Sequence, residues 1–186
     1  MEELKRYRNS FIFLTLISVA GILSGLYLYQ YTDYFQGLRG DAEIIPIFNF
    51  DPQKILLLFF DEVRVTAIIL ILGFTLFAPY AASAIVMYKG FMTGFSVLYF
   101  GLYYQTGSID KRSFVLVTVS MILLLLIYII TGAKAVAFAS SLKYAAPDLI
   151  SLLKRKQTGR YFVTYLLLSV FMLIAVTMKY SMPFLL

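Results

Sequence analysis

From Val65 to Tyr104 the chain runs for 40 residues with one charged side chain, Lys89. A soluble fold could not hide such a run, but lipid solvates it directly, and about 20 helical residues cross the roughly 30 Å of a bilayer's hydrocarbon. The rest of the chain agrees: 61% of the 186 residues are hydrophobic and only 14% charged, where soluble domains are about a quarter charged. The expected fold is an all-α, polytopic transmembrane helical bundle of about five spans with interfacial amphipathic helices. The whole chain, 1–186, forms one integral membrane domain.

The first span is expected near residues 11–29, behind Lys5, Arg6 and Arg8 and ahead of the interface-seeking Tyr27, Tyr29 and Tyr31. Ser18-Val19-Ala20 resembles a signal-peptide cleavage site, yet the apolar run continues well beyond it, so retention as an anchor is expected. Residues 30–64 form a polar connection holding six of the ten acidic residues. Within it Asp51-Pro52 reads as an N-cap followed by proline at the first helical position. Gln53 to Arg64 then reads as a helix lying in the interface and leading into the next span.

The long apolar run divides in one of two ways. In the favoured reading, spans at 65–87 and 91–104 flank a tight turn at Tyr88-Lys89-Gly90, because a boundary lysine snorkels cheaply. Pro79 then kinks the first of them. In the other, Pro79 ends span two and Lys89 lies within the membrane inside span three. Gly90 and Gly94 form a Gly-x-x-x-Gly pair that permits close helix contact. Further spans are expected at 113–133, with helix continuing towards Ser141, and at 161–178. Between these, Lys143 to Arg160 holds five basic residues and one acid, the pattern of an amphipathic helix on an anionic leaflet.

With the N-terminus inside and five spans, ten Lys and Arg residues fall inside and six outside, as the positive-inside rule favours. The C-terminus is then outside. The formal charge of +6 sits at span ends rather than on one face, which suits membrane lipid and gives no nucleic-acid surface.

Cysteine and histidine are both absent, which removes thiol and imidazole chemistry. None of the expected spans contains Asp or Glu, and the acids of the outer connection lack metal-ligand spacing. No catalytic residue, metal site or cofactor is expected. Asp61, Glu62 and Arg64 read as a local ion-pairing group. Lys89 is the one residue with a sharper alternative: if deep in the membrane, it needs a carbonyl or carboxylate partner and marks a contact with a ligand or partner. The tyrosines of spans one and three read as interface anchors.

Ile71-Leu72-Gly73, Pro79, Tyr88-Lys89-Gly90-Phe91 and Gly94-Phe95 resemble the central stretch of the stage II sporulation protein M family. An N-terminal anchor, an outer connection with a surface helix, and two further spans complete a similar layout. The resemblance implies a non-enzymatic, multi-pass scaffold of the cell membrane, with Pro79, Lys89, Gly90 and Gly94 shaping a central hairpin. The family's sporulation member works in engulfment, anchoring peptidoglycan-degrading partners. The expected partners here are therefore membrane lipid and membrane or cell-wall-associated proteins, with a second copy of the chain left open. The alternative function is a small transporter or permease subunit, with Pro79 and Lys89 lining a path. A membrane enzyme has the least support.

Overall fold

The computed structural model describes residues 2–31, 52–107, 109–142 and 156–180. These form five helices: α1 (Glu2–Tyr31), α2 (Pro52–Leu72), α3 (Ala78–Gln105), α4 (Lys111–Leu142) and α5 (Lys156–Tyr180). Four of them, α1, α3, α4 and α5, are long and apolar enough to cross a membrane. The protein is an all-α helical membrane bundle.

The helix ends follow local chemistry. Asp110 caps α4, its carboxylate accepting from the backbone N–H of Arg112 and Ser113 at 3.2 Å each. At the end of α3, Gly107 takes φ +73° and its N–H bonds Tyr104 O at 3.1 Å, the left-handed close that glycine adopts without steric cost. Between α2 and α3 the chain reverses in five residues, 73–77. There Thr75 closes the turn through its N–H and its hydroxyl, both bonded to Leu72 O at 2.8 Å.

Hydrogen bonding from the Ser113 side chain, then from the Ser113 and Arg112 amides, holds the Asp110 carboxyl below its ordinary value of 3.8. A depressed folded-state value means that the cap's contribution is complete above the ordinary carboxylate range. It is lost as pH falls through the lowered value. Asp110→Asn, which keeps the capping geometry without the titration, is expected to remove this acid-sensitive part. Comparing the pH 7 to pH 3 drop in melting temperature with that of wild type in detergent tests it; an unchanged drop refutes it.

The break at 73–77 relocates the expected boundary. The helix α3 runs unbroken through Tyr88-Lys89-Gly90, so the tight turn expected there does not exist. Neither residue needs one: Gly90 is where the backbone of α1 comes close, and Lys89 meets a carboxylate. Pro79 does not kink a span. It sits in the first turn of α3, where its missing N–H costs no helical bond. The stretch from Gln53 to Arg64 is helical and leads straight on, as expected, forming the first half of α2. That helix packs inward through Ile55, Ile69 and Leu70, all buried. The expected cap Asp51 and most of the basic 143–160 stretch lie outside the described residues.

Helix α4 is the axis of the bundle. Half of its apolar stretch is buried, against about a fifth for the other three long helices, and it packs against all four neighbours. At one end gather Tyr7 with Lys134, and Phe74 with Phe138 and Tyr161. At the other lie Tyr29 with Phe95, and Tyr104 with Phe114. Buried hydroxyls are satisfied along their own helices. Ser18 donates to Thr15 O, Thr66 to Val63 O, Ser120 to Val117 O and Thr131 to Ile127 O, at 2.7–2.9 Å. Among the described residues no buried side-chain polar atom lacks a partner.

Candidate functional site

Near the middle of its length α2 carries Glu62, and the fold turns that carboxylate towards two other helices. Lys89 of α3 donates to Glu62 Oε2 at 2.6 Å. The Tyr128 hydroxyl of α4 donates to the same oxygen. The Lys89 ammonium also lies 4.8 Å from the centre of the Tyr128 ring, an arrangement favoured by the ring's negative face. Three helices thus meet on one carboxylate oxygen. Both charged side chains are only about one-fifth exposed. A lysine at mid-depth costs about 3 kcal/mol when unpartnered, and pairing with Glu62 offsets part of that cost.

Tyrosine hydroxyls fasten α2 at further points. Tyr165 of α5 donates to Val63 O at 3.1 Å, and Tyr161 donates to Leu70 O at 3.2 Å. Each carbonyl takes the tyrosine as an additional donor, Val63 O beside the Thr66 hydroxyl and Leu70 O beside the Gly73 N–H. In an apolar surround such bonds give the helix contact a direction that hydrocarbon packing alone lacks.

A cavity of about 160 Å³ lies over this group. Glu62, Lys89 and Tyr128 line it, with Ser96 from α3 and Lys179 from the last turn of α5. Lys179, the residue just beyond the expected fifth span, is part of this lining.

The glycines form a second constellation. Gly90 and Gly94 of α3 face the carbonyl oxygens of Ser18 and Ile22, while Gly21 and Gly25 of α1 face those of Met87 and Phe91. The pairing is reciprocal and runs in the same direction along both helices, so α1 and α3 are parallel. A Cβ on any of the four would overlap a backbone oxygen.

The structure thus separates the four residues singled out from sequence. Lys89 joins the polar group, Gly90 and Gly94 join the contact with α1, and Pro79 opens α3 away from both. Glu62 was placed in a local ion-pairing group, but its partner stands 27 residues away. Tyr128 gave no signal among 15 tyrosines. The Gly21–Gly25 spacing was legible and matches the Gly90–Gly94 spacing. Among the described residues no group of His, Cys, Asp and Glu could hold a metal ion.

No curated protein and no solved structure matches the chain. The family model described as Stage II sporulation protein M matches residues 10–178, nearly the whole length. The chain belongs to the stage II sporulation protein M family.

Proposed function

We propose that this protein is a non-enzymatic scaffold of the cell membrane that crosses it five times and holds membrane or cell-wall-associated protein partners. The observation that carries this reading is the use made of Glu62. Its carboxylate is engaged by Lys89 and Tyr128 from two neighbouring helices, so the interior's polar chemistry ties the bundle together. The family's sporulation member, which anchors peptidoglycan-degrading partners, supports the same role.

The direction of the helices supports five crossings. Because α1 and α3 are parallel, the chain between them must return across the membrane. The 21 residues of α2 reach about 31 Å at 1.5 Å per residue, enough for that return. Of its charged residues Lys54, Asp61, Glu62 and Arg64, the bundle partners Glu62. The distribution of Lys and Arg then sets the N-terminus inside and the C-terminus outside.

A scaffold needs outward surface, and α1 offers Ile12, Leu16 and Leu23, each more than half exposed. Photo-crosslinking from Leu16 and Leu23 in native membranes is expected to give discrete protein adducts, identifiable as membrane or cell-wall-associated proteins. Adducts with lipid alone from both positions would sink the scaffold.

The cavity beside Lys89 favours a second reading, a small transporter or permease subunit. Glu62→Gln combined with Lys89→Met decides between them, since it removes both charges together. Loss of solute flux from an assembled bundle supports transport; unchanged flux excludes the Glu62–Lys89 pair as its path.

A further inference from the structure

The outward face of α2 carries two opposite charges that the bundle does not use. Asp61 and Arg64 are both exposed, and among the described residues neither side chain has a hydrogen-bond or ion-pair partner. They stand near the middle of the 21-residue helix, next to Glu62 in sequence but turned away from the bundle. In the five-crossing reading, on which this inference rests, α2 spans the membrane and both charges lie at hydrocarbon depth. An ionised side chain without a partner is costly there.

The neighbours of these charges give the kind of surface. Leu57, Asp61, Arg64, Ile68 and Ile71 are all exposed, and they follow one another at spacings of four, three, four and three. That is the heptad seam of a two-stranded coiled coil, a left-handed geometry common between transmembrane helices. The bundle leaves the seam unfilled, because it packs on the other side of α2 through Ile55, Ile69 and Leu70. In a parallel pair each seam residue enters a hole formed by seam residues of the facing helix. Asp61 then meets the partner subunit's Arg64, which lies about 4.5 Å further along the axis, within reach of the long arginine side chain. By symmetry Arg64 meets the partner subunit's Asp61. One acid and one base on a single seam are thus complementary to themselves, as a two-fold interface requires. A two-fold axis along the membrane normal also sets the two α2 helices parallel.

We propose that two copies of this chain pair through the outward seam of α2, Asp61 of each copy bonding the partner subunit's Arg64. The charge pattern selects a second copy over a different protein. An unrelated helix would have to carry an acid and a base in matching order on its own heptad seam, whereas a second copy carries them by identity.

The test uses the full chain in native membranes, where the absence of cysteine makes each introduced thiol the chain's only one. Oxidative crosslinking is expected to give disulfide-linked dimer from Leu57→Cys and from Ile68→Cys, both on the seam. None is expected from Leu56→Cys, which is exposed on the same helix but off the seam. With Ile68→Cys as reporter, Asp61→Arg and Arg64→Asp are each expected to abolish the dimer, because each sets like charges against one another. Combining Asp61→Arg with Arg64→Asp is expected to restore it. The double reversal keeps the wild-type charge composition and covers the case in which a single reversal fails to assemble. Equal dimer from Leu56→Cys and Ile68→Cys, or dimer that survives both single reversals, would overturn the pairing. A membrane-impermeant maleimide applied to Phe60→Cys separates this failure from that of the five-crossing reading. Absence of dimer with Phe60→Cys protected leaves the crossing in place and overturns the pairing alone, with lipid or another protein covering the face. Absence of dimer with Phe60→Cys labelled overturns both.

Discussion

Gly25→Ala is expected to cost about 1–3 kcal/mol of bundle stability, and Gly25→Leu to prevent α1 from docking on α3. The reason is what the new Cβ would meet. At Gly25 it would overlap the carbonyl oxygen of Phe91 and crowd the Phe95 amide. Backbone atoms in a helix cannot rotate aside, so the helices must separate, and the neighbouring contacts at Gly21, Gly90 and Gly94 loosen together. Without a hydrophobic drive between helices in lipid, such close packing is a large share of what holds them.

Two other helical glycines provide the contrast. At Gly132 the Cβ would come 2.9 Å from Leu14 Cδ1, the far end of a flexible side chain. Gly132→Ala is therefore expected to cost under about 1 kcal/mol. Nothing lies within 4 Å at Gly159. There alanine only gains helix propensity, so Gly159→Ala is expected to stabilise by up to about 1 kcal/mol. Unfolding in mixed detergent and SDS micelles should rank the three in that order. A Gly25→Ala no less stable than Gly132→Ala would refute the role given to the α1–α3 contact.

The same glycines show where sequence reading reached its limit. Apolar run length predicted helices and a membrane, because both depend on local composition that any tertiary arrangement must respect. Gly90-x-x-x-Gly94 was readable as a contact motif, but a motif on one helix does not name its partner. The answer lay 69 residues earlier in Gly21-x-x-x-Gly25, and the match between them is a property of the folded pair. Lys89 failed differently. Placing it in a turn treated its charge as a local cost to be avoided, since a lone lysine at mid-depth is expensive. Glu62 offsets part of that cost as a neighbour, and Glu62 belonged to a stretch read as interfacial because it also carries Asp61 and Arg64. Those charges set α2 apart from the four long apolar helices, and one of them is the partner of Lys89. The break at 73–77 escaped for a related reason: it is set by Gly73, Thr75 and Pro79, three ordinary residues in an otherwise apolar run. A strong charge signal at Lys89 outweighed them.

Because Lys89 and Glu62 share one contact, the two residues are expected to behave as a unit. Glu62→Leu is expected to destabilise the bundle by about 3 kcal/mol, the lower end of the range for breaking a buried pair. The lower end applies because both side chains keep about one-fifth exposure. The substitution leaves Lys89 without its carboxylate and deprives Tyr128 of its side-chain acceptor, although the Glu62 backbone carbonyl, 3.3 Å away, remains. Lys89→Met is expected to cost less, since Glu62 keeps its bond from Tyr128. Combining Glu62→Leu with Lys89→Met removes both charges and offers two apolar side chains of similar length to an apolar surround. Replacing a whole buried pair in this way is often close to neutral, so the double variant is expected to recover most of the loss. That recovery corresponds to a coupling of about 3 kcal/mol in the double-mutant cycle, the upper end of the range for residues in direct contact. SDS-driven unfolding of the four proteins measures it. Additive losses, with the double variant the least stable of the set, would mean that Lys89 and Glu62 are held by other partners and that the contact between α2 and α3 does not depend on their pairing.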